Sequence, residues 1–335
     1  MNIKELAKKL NLSITTISRA LGGYSDVSEK TRKRVQKYAL KYNYNPSPYA
    51  SRLASGKSNI VGVVVQDYGI SLNSQLNFLQ FLSSMSSKLI EKNIQFSMLF
   101  ANSQKEELKA YEKLINIEKV DRIIINNTKK NDERIKYFKK HKIDFVSWGR
   151  ANNSNNFSWV DLDNELSAVM IVDYLVSKGH KNIGYINVTE SYNFAAQRKK
   201  GYLNSLKKFN IKFNKNYYTT VKYGNSELHR KVIKKMLKSY PVITAIICST
   251  ETMAIGAVNA IKDLNRVIGK DISIIGYDGP VVASIASPIT AVSHPIEEMG
   301  KKAIEMLLEN NKKESLFFNY LVKPTIIERG SVHKI

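Results

Sequence analysis

Residues 3–23 read IKELAKKLNLSITTISRALGG, and their spacing decides how the chain opens. Ile3, Leu6, Ala7 and Leu10 recur at i, i+3, i+4 and i+7, the apolar stripe of one short helix. Asn2 stands just before it, where its side chain can take up free helical N–H groups. Asn11-Leu12-Ser13 interrupts the pattern, and Ser13 can cap a second helix whose buried face is Ile17, Ala20 and Leu21. Ile14, Thr15, Ser18 and Arg19 fall on the opposite face, and Gly22-Gly23 stops the helix. Beyond Ser28 a third stripe, Val35, Tyr38, Ala39 and Tyr42, predicts a third helix. Three short helices with a tight turn between the first two make a helix-turn-helix.

In such a unit the second helix enters the major groove of DNA. The hydroxyls of Ser13, Thr16 and Ser18 suit phosphates, the Arg19 fork suits guanine, and Ile14 and Thr15 offer methyl groups to thymine. Asn2 and Tyr44 complete the candidate DNA contacts within the unit. The competing reading is a three-helix bundle used for protein contacts, and the charge distribution speaks against it. Residues 1–60 hold 12 Lys and Arg against 3 Asp and Glu, and the remaining 275 hold 40 against 26. The opening segment is therefore far more basic per residue than the rest of this +23 chain.

Working outward, Asn45-Pro46-Ser47-Pro48 is both a breaker cluster and a good helix start, with Ser47 as cap and Pro48 at the first helical position. Residues 49–55 then form about two turns, ended by Gly56, too short to be stable alone in water. From residue 60 the texture changes. Apolar runs at 60–65, 96–100, 122–125, 145–148, 183–186, 245–248 and 272–277 alternate with helical patterns at 76–92, 106–117, 165–178, 197–209, 228–239, 252–264 and 296–309. Strand-helix alternation predicts parallel sheets covered by helices, and the strand number predicts two doubly wound subdomains. The fold class expected is thus α/β, with an N-terminal three-helix unit, a hinge helix and two parallel-sheet lobes. The boundaries expected are 1–46, 47–59 and 60–335, with one lobe from about 60–160 and 290–322 and the other from about 161–289 and 323–335.

A hydrophobic fraction of 43% supports a packed interior. The lone Cys248 rules out an intrachain disulfide and a cysteine-based metal site, in keeping with a reducing cytoplasm. No apolar signal-peptide core follows the N-terminus and no apolar run reaches membrane-spanning length, so neither export nor a membrane is expected. No cofactor is expected. The segments GxSxG, HExxH and the P-loop are missing, which argues against common enzyme classes.

The segments IKELAKKLNLSITTISRALGG, VSEKTRKRV and ASRLASGKSNIVGVVV, in this order and spacing, resemble the lactose/galactose repressor family of transcriptional regulators. The resemblance implies a sequence-specific DNA-binding repressor, a palindromic operator bound by a homodimer, and a body of periplasmic sugar-binding type. It implies that Ile14 and Thr15 choose the operator, and that Leu53, with Ser51 beside it, enters the minor groove as an apolar wedge.

Ligands of such bodies bind outside the carboxyl ends of the strands. The candidates standing there are Gln66, Asp67, Tyr68, Arg150, Arg198, Thr250, Glu251 and Asp278. Arginine forks and carboxylates suit vicinal hydroxyls, and a ring suits a sugar's C–H face. By resemblance, Arg198 in RKKGY and Asp278 in IGYDG are the principal effector contacts, and Trp159 and Asp161 in SWVDLDN match a sugar-responsive branch. Asp163 and Asn164 are expected to cap the next helix, and His180 to pack. The expected effector is a sugar or sugar phosphate. The alternatives are a nucleobase, a nucleoside or a phosphoprotein corepressor, or a sugar-binding protein that never meets DNA. Induction and corepression both remain open.

Overall fold

The computed structural model describes residues 1–22, 24–44, 58–66, 75–222, 226–279, 282–283, 288–309 and 317–335. It divides into two compact units, Met1–Asn59 and Ile60–Ile335. Ser51 and Leu53, and with them the predicted hinge helix, lie outside the described residues, as do Asp67 and Tyr68.

The first unit contains α1 (Ile3–Leu10), α2 (Ile14–Leu21) and α3 (Glu29–Lys41). Leu6, Leu10, Ile17, Ala20 and Val35 are fully buried between them, which is the convergence of the three stripes. Each start is capped as its sequence requires. Asn2 and Glu5 form a reciprocal capping box, and the Ser13 and Ser28 hydroxyls accept from the N–H groups of Thr16 and Thr31.

The second unit holds two six-stranded sheets. The N-lobe sheet is built from β1 (Ile60–Gln66), β2 (Gln95–Ala101), β3 (Arg122–Ile125), β4 (Asp144–Trp148), β5 (Ser158–Leu162) and, late in the chain, β11 (Asn319–Val322). Its order is β11-β5-β4-β3-β1-β2, and every pairing is parallel. The C-lobe sheet runs β12-β10-β9-β8-β6-β7. It comprises β6 (Ile183–Val188), β7 (Tyr218–Val221), β8 (Ala245–Cys248), β9 (Ser273–Tyr277), β10 (Thr290–Val292) and β12 (Ile326–Ile327). Only the β10–β12 pair is antiparallel.

The covering helices are α4 (Leu76–Ser83), α5 (Ser86–Glu91), α6 (Gln104–Asn116), α7 (Glu133–Lys140) and α12 (Ile296–Glu309) around the first sheet. Around the second are α8 (Asn164–Ser177), α9 (Asn193–Lys208), α10 (Ser226–Ser239) and α11 (Glu251–Lys262). The pattern over 76–92 read as one helix, whereas it is two. At the break the Ser84 hydroxyl donates to the Phe81 carbonyl at 2.6 Å, and the Gly300 backbone of α12 presses on both residues.

The chain crosses between lobes three times, at residues 162–163, 293–295 and 323–325. Two of these differ by two or three residues from the expected boundaries, because β5 extends to Leu162 and β10 pairs with β9 in the C-lobe sheet. Two crossings are tied together: Ser293 N–H donates to Thr325 O at 2.7 Å, and Thr325 N–H to the Ser293 hydroxyl at 2.9 Å. His180, fully buried, sits within hydrogen-bond distance of Thr244, Ser273 and the His333 carbonyl, and so fastens the C-terminal segment.

Candidate functional site

On α2, Ser13, Ile14 and Thr15 are exposed, with Ile14 44% accessible, an outlay for an isoleucine that a core role does not explain. Thr16, Ser18 and Arg19 are half-buried on the same side. Arg19 is held: its Nε lies 2.7 Å from Asp26 Oδ2, and its guanidinium stands 4.8 Å from the Tyr24 ring centroid. Asn2 is exposed at the start of α1. Tyr44 packs against the apolar core of the unit, and the residue as a whole is 9% exposed.

The strand ends of the two lobes face each other across a cleft of about 910 Å³, counted to its open mouth. Its N-lobe wall comes from the start of α4, the loop after β3, and the end of β4 onward, with Trp148 stacked on Phe81 at 4.5 Å and 5°. Its C-lobe wall comes from the starts of α8, α9 and α11 and the end of β9.

Five of the predicted effector residues meet there: Arg150, Asp161, Arg198, Thr250 and Glu251. Arg150 Nε donates to Asp161 Oδ2 at 2.8 Å, and Asp161 Oδ1 accepts from Asn164 Nδ2 at 3.0 Å. Asn164 Oδ1 accepts from Arg198 Nε at 2.8 Å, and Arg198 Nη1 continues to the Ser249 carbonyl. The Arg198 guanidinium lies 3.4 Å from the Tyr277 ring centroid. The result is one polar relay running across the cleft. Burial raises the Asp161 carboxyl even against the pull of Arg150. Burial, with Arg198 adding to it, holds the His294 imidazole down at about 3, so this histidine is neutral where it faces Trp148 at 5.5 Å.

Three predictions are corrected. Gln66 lies behind the wall, buried, donating to Glu107 Oε1 at 2.8 Å and accepting from Asn127 at 3.3 Å. Trp159 packs in the N-lobe core and donates to the Ser154 carbonyl at 2.9 Å, and the Arg150 guanidinium lies 5.2 Å from its ring centroid. Asp278 faces away, paired with Arg329 at 2.7 Å, because its neighbour Tyr277 takes the direction into the cleft. Arg198 sits in the second turn of α9 rather than at its start. Asp163 caps α8, but Asn164 belongs to the relay.

Sequence reasoning missed Asn77, Asn126, Trp148, Phe194 and His294 as lining residues. Trp148 carried a usable signal, since it ends an apolar strand run next to Arg150. His294 carried none, because it stands in the crossing between two elements rather than after a strand that was recognised.

Residues 2–47 match the family model described as bacterial regulatory proteins, lacI family, and residues 172–332 match a periplasmic binding protein-like domain. The chain is 30% identical over 343 residues to the HTH-type transcriptional regulator RafR of Escherichia coli, covering 99% of both chains. The chain belongs to the lacI family. It is therefore a DNA-binding transcriptional regulator, whose first unit carries the helix-turn-helix. Among solved structures, the lac repressor dimer bound to operator and the anti-inducer ONPF matches with a TM-score of 0.84 at 21% identity, over 99% of each chain. A transcriptional regulator CelR–cellobiose complex matches with a TM-score of 0.75 at 19% identity, again over 99% of each. Both likenesses concern the fold. No helix among the described residues is long and apolar enough to cross a membrane.

Proposed function

We propose that this regulator represses carbohydrate uptake or catabolism genes under the control of a sugar or sugar-phosphate effector bound between the lobes. The observation that carries the reading is the Arg150–Asp161–Asn164–Arg198 relay facing the rings of Trp148 and Tyr277. Fork donors and carboxylate acceptors recognise vicinal hydroxyls, and an aromatic face covers the C–H side of a pyranose. The solved CelR relative holds cellobiose, which supports the same ligand class here.

Two chains pair through their bodies and present two α2 helices to a palindromic operator, in the cytoplasm and without turnover of the effector. Met98 and Phe100 on the edge strand β2, 38% and 63% exposed, support pairing on this side of the N-lobe. The effector changes the angle between the lobes, and operator affinity changes with it. Isothermal titration of the full chain with saccharides and nucleobases tests the effector class. Saccharide binding lost in Arg198→Ala supports the reading, and binding of nucleobases alone overturns it.

A further inference from the structure

We infer that the cleft selects an uncharged, polyhydroxylated ligand and discriminates against the phosphate esters of that same ligand. This rests on the inter-lobe effector reading above and narrows its chemical class.

The first observation is charge. Among the described residues the charged side chains lining the cleft are Arg150, Arg198, Asp161 and Glu251, two of each sign. In a chain with 52 Lys and Arg, no lysine stands among them. Both arginines are already engaged, Arg150 by Asp161 at 2.8 Å and Arg198 by Asn164 at 2.8 Å, the Ser249 carbonyl and the Tyr277 ring. A phosphate dianion would meet guanidinium groups whose Nε atoms are already committed to Asp161 and Asn164, and at Arg150 it would share the cation with the Asp161 carboxylate. On the C-lobe wall the helix starts already carry their own acids or partners, α8 having the Asp163 cap and Glu165 in its first turn. At α11, Thr250 caps the N-terminus and Glu251 puts a carboxylate in the first turn. At α9, which has no side-chain cap, the Asn193 N–H already donates to Thr128 O at 3.0 Å.

The second observation is the polarity of what is unmatched. Asn77 and Asn126 line the cleft, and the Oδ1 atom of each is buried with no donor among the described residues. Asn126 is only 3% exposed. Buried acceptors call for donors. Sugar hydroxyls donate, whereas the oxygens of a phosphate dianion only accept. Glu251 deepens this bias. A Cβ at Gly279 would lie 2.4 Å from Glu251 Cδ and 2.6 Å from Asn77 Oδ1, so the Glu251 carboxylate and the Asn77 amide, one from each lobe, converge over that bare backbone. Glu251 is held in place partly by the Val282 N–H, which donates to its Oε1 at 3.1 Å.

The test uses the full chain and isothermal titration with matched probes: glucose, maltose, sucrose, trehalose and cellobiose, each beside its own 6-phosphate, with adenine and hypoxanthine as non-sugar probes. The expected result is a neutral sugar that binds at least about tenfold more tightly than its 6-phosphate. Glu251→Gln, which removes a negative charge yet keeps an Oε1 acceptor for Val282, should narrow that ratio by about threefold or more. A 6-phosphate that binds as well as or better than its parent sugar overturns the inference while leaving the sugar reading standing. A ratio unaltered by Glu251→Gln overturns the charge argument. Nucleobase binding alone, or no binding by any probe, overturns the sugar reading and the inference with it.

Discussion

Asn193 donates its side-chain N–H to the Arg150 carbonyl at 2.7 Å and thereby fastens the first residue of α9 in the C-lobe to the loop after β4 in the N-lobe. Backbone bonds from Asn193 N–H to Thr128 O and from Lys130 N–H to Ser191 O, both 3.0 Å, close the same side of the cleft. A ligand that draws the lobes together would be favoured by these same contacts. Asn193→Ala removes one of them, at a cost of about 0.5–1.5 kcal/mol. Effector affinity should fall about three- to tenfold by titration calorimetry, with little change in operator affinity measured without effector.

Arg198 is the residue whose loss should separate the two activities. Arg198→Ala should abolish effector binding, and it should lower stability by about 1–3 kcal/mol in urea because Asn164 Oδ1 and the Ser249 carbonyl lose their donor. Arg198→Lys should not restore effector binding, since one ammonium cannot reproduce a planar fork directed at two acceptors while stacked on Tyr277.

Behind the N-lobe wall, Arg134 is buried with Asp132 at 2.7 Å and Glu107 at 2.6 Å, and Glu107 in turn holds Gln66. Arg134→Met should destabilise the fold by about 3–5 kcal/mol in denaturant melts, because it strands two buried carboxylates. Burial alone would raise Asp132, but Arg134 outweighs it and holds this carboxyl below its ordinary range. A depressed carboxyl adds stability above its unfolded pKa of about 3.9 and loses it as pH falls through the folded value. Acid melts below about pH 4 should therefore report this cluster.

Neutral His294 gives a second and separable pH dependence. Its folded value of about 3 lies below the unfolded histidine value, so its stabilisation is complete above about pH 6.5 and declines as the solution is acidified toward 3. Between pH 6 and 4 the unfolded chain binds one more proton at this site, a slope of about 1.4 kcal/mol per pH unit. His294→Phe should remove roughly one proton's worth of that slope in melts across the interval.

On the DNA side, Arg19→Ala should cost about 1–3 kcal/mol of specific operator binding, with a smaller loss on random DNA at the same salt. Competition gel shifts measure the difference. Asp26 orients Arg19, so Asp26→Ala should reduce the same discrimination more weakly.

The parts that could be read from residues 3–23 and from the apolar runs after 60 are those in which one periodicity dominates. Apart from Gln66 and Arg122 at their ends, Ile60–Gln66 and Arg122–Ile125 are unbroken apolar strands buried on both faces, the signature of a parallel sheet. β5 escaped notice because Ser158 and Asp161 dilute its apolar signal, although all five of its residues are buried. The short strands β10, β11 and β12 are defined by partners far away in sequence rather than by their own pattern. At the cleft, position after a strand located Arg150, Thr250 and Glu251. It could not tell which way the side chain turns, and it is Tyr277 rather than Asp278 that lines the cleft. Asn126 and His294 needed the lobes assembled before either could be seen as part of a site.

Occupancy of the cleft should change operator binding through the relay at Arg198. The most direct measurement is fluorescence anisotropy of the full chain on an operator recovered by selection from random DNA, with and without the saccharide that binds it. The predicted result is a change of about fivefold or more in operator affinity for the wild type and none for Arg198→Ala. Equal operator affinity with and without the bound saccharide, or a shift that persists in Arg198→Ala, would mean that the cleft does not act on the operator through Arg198.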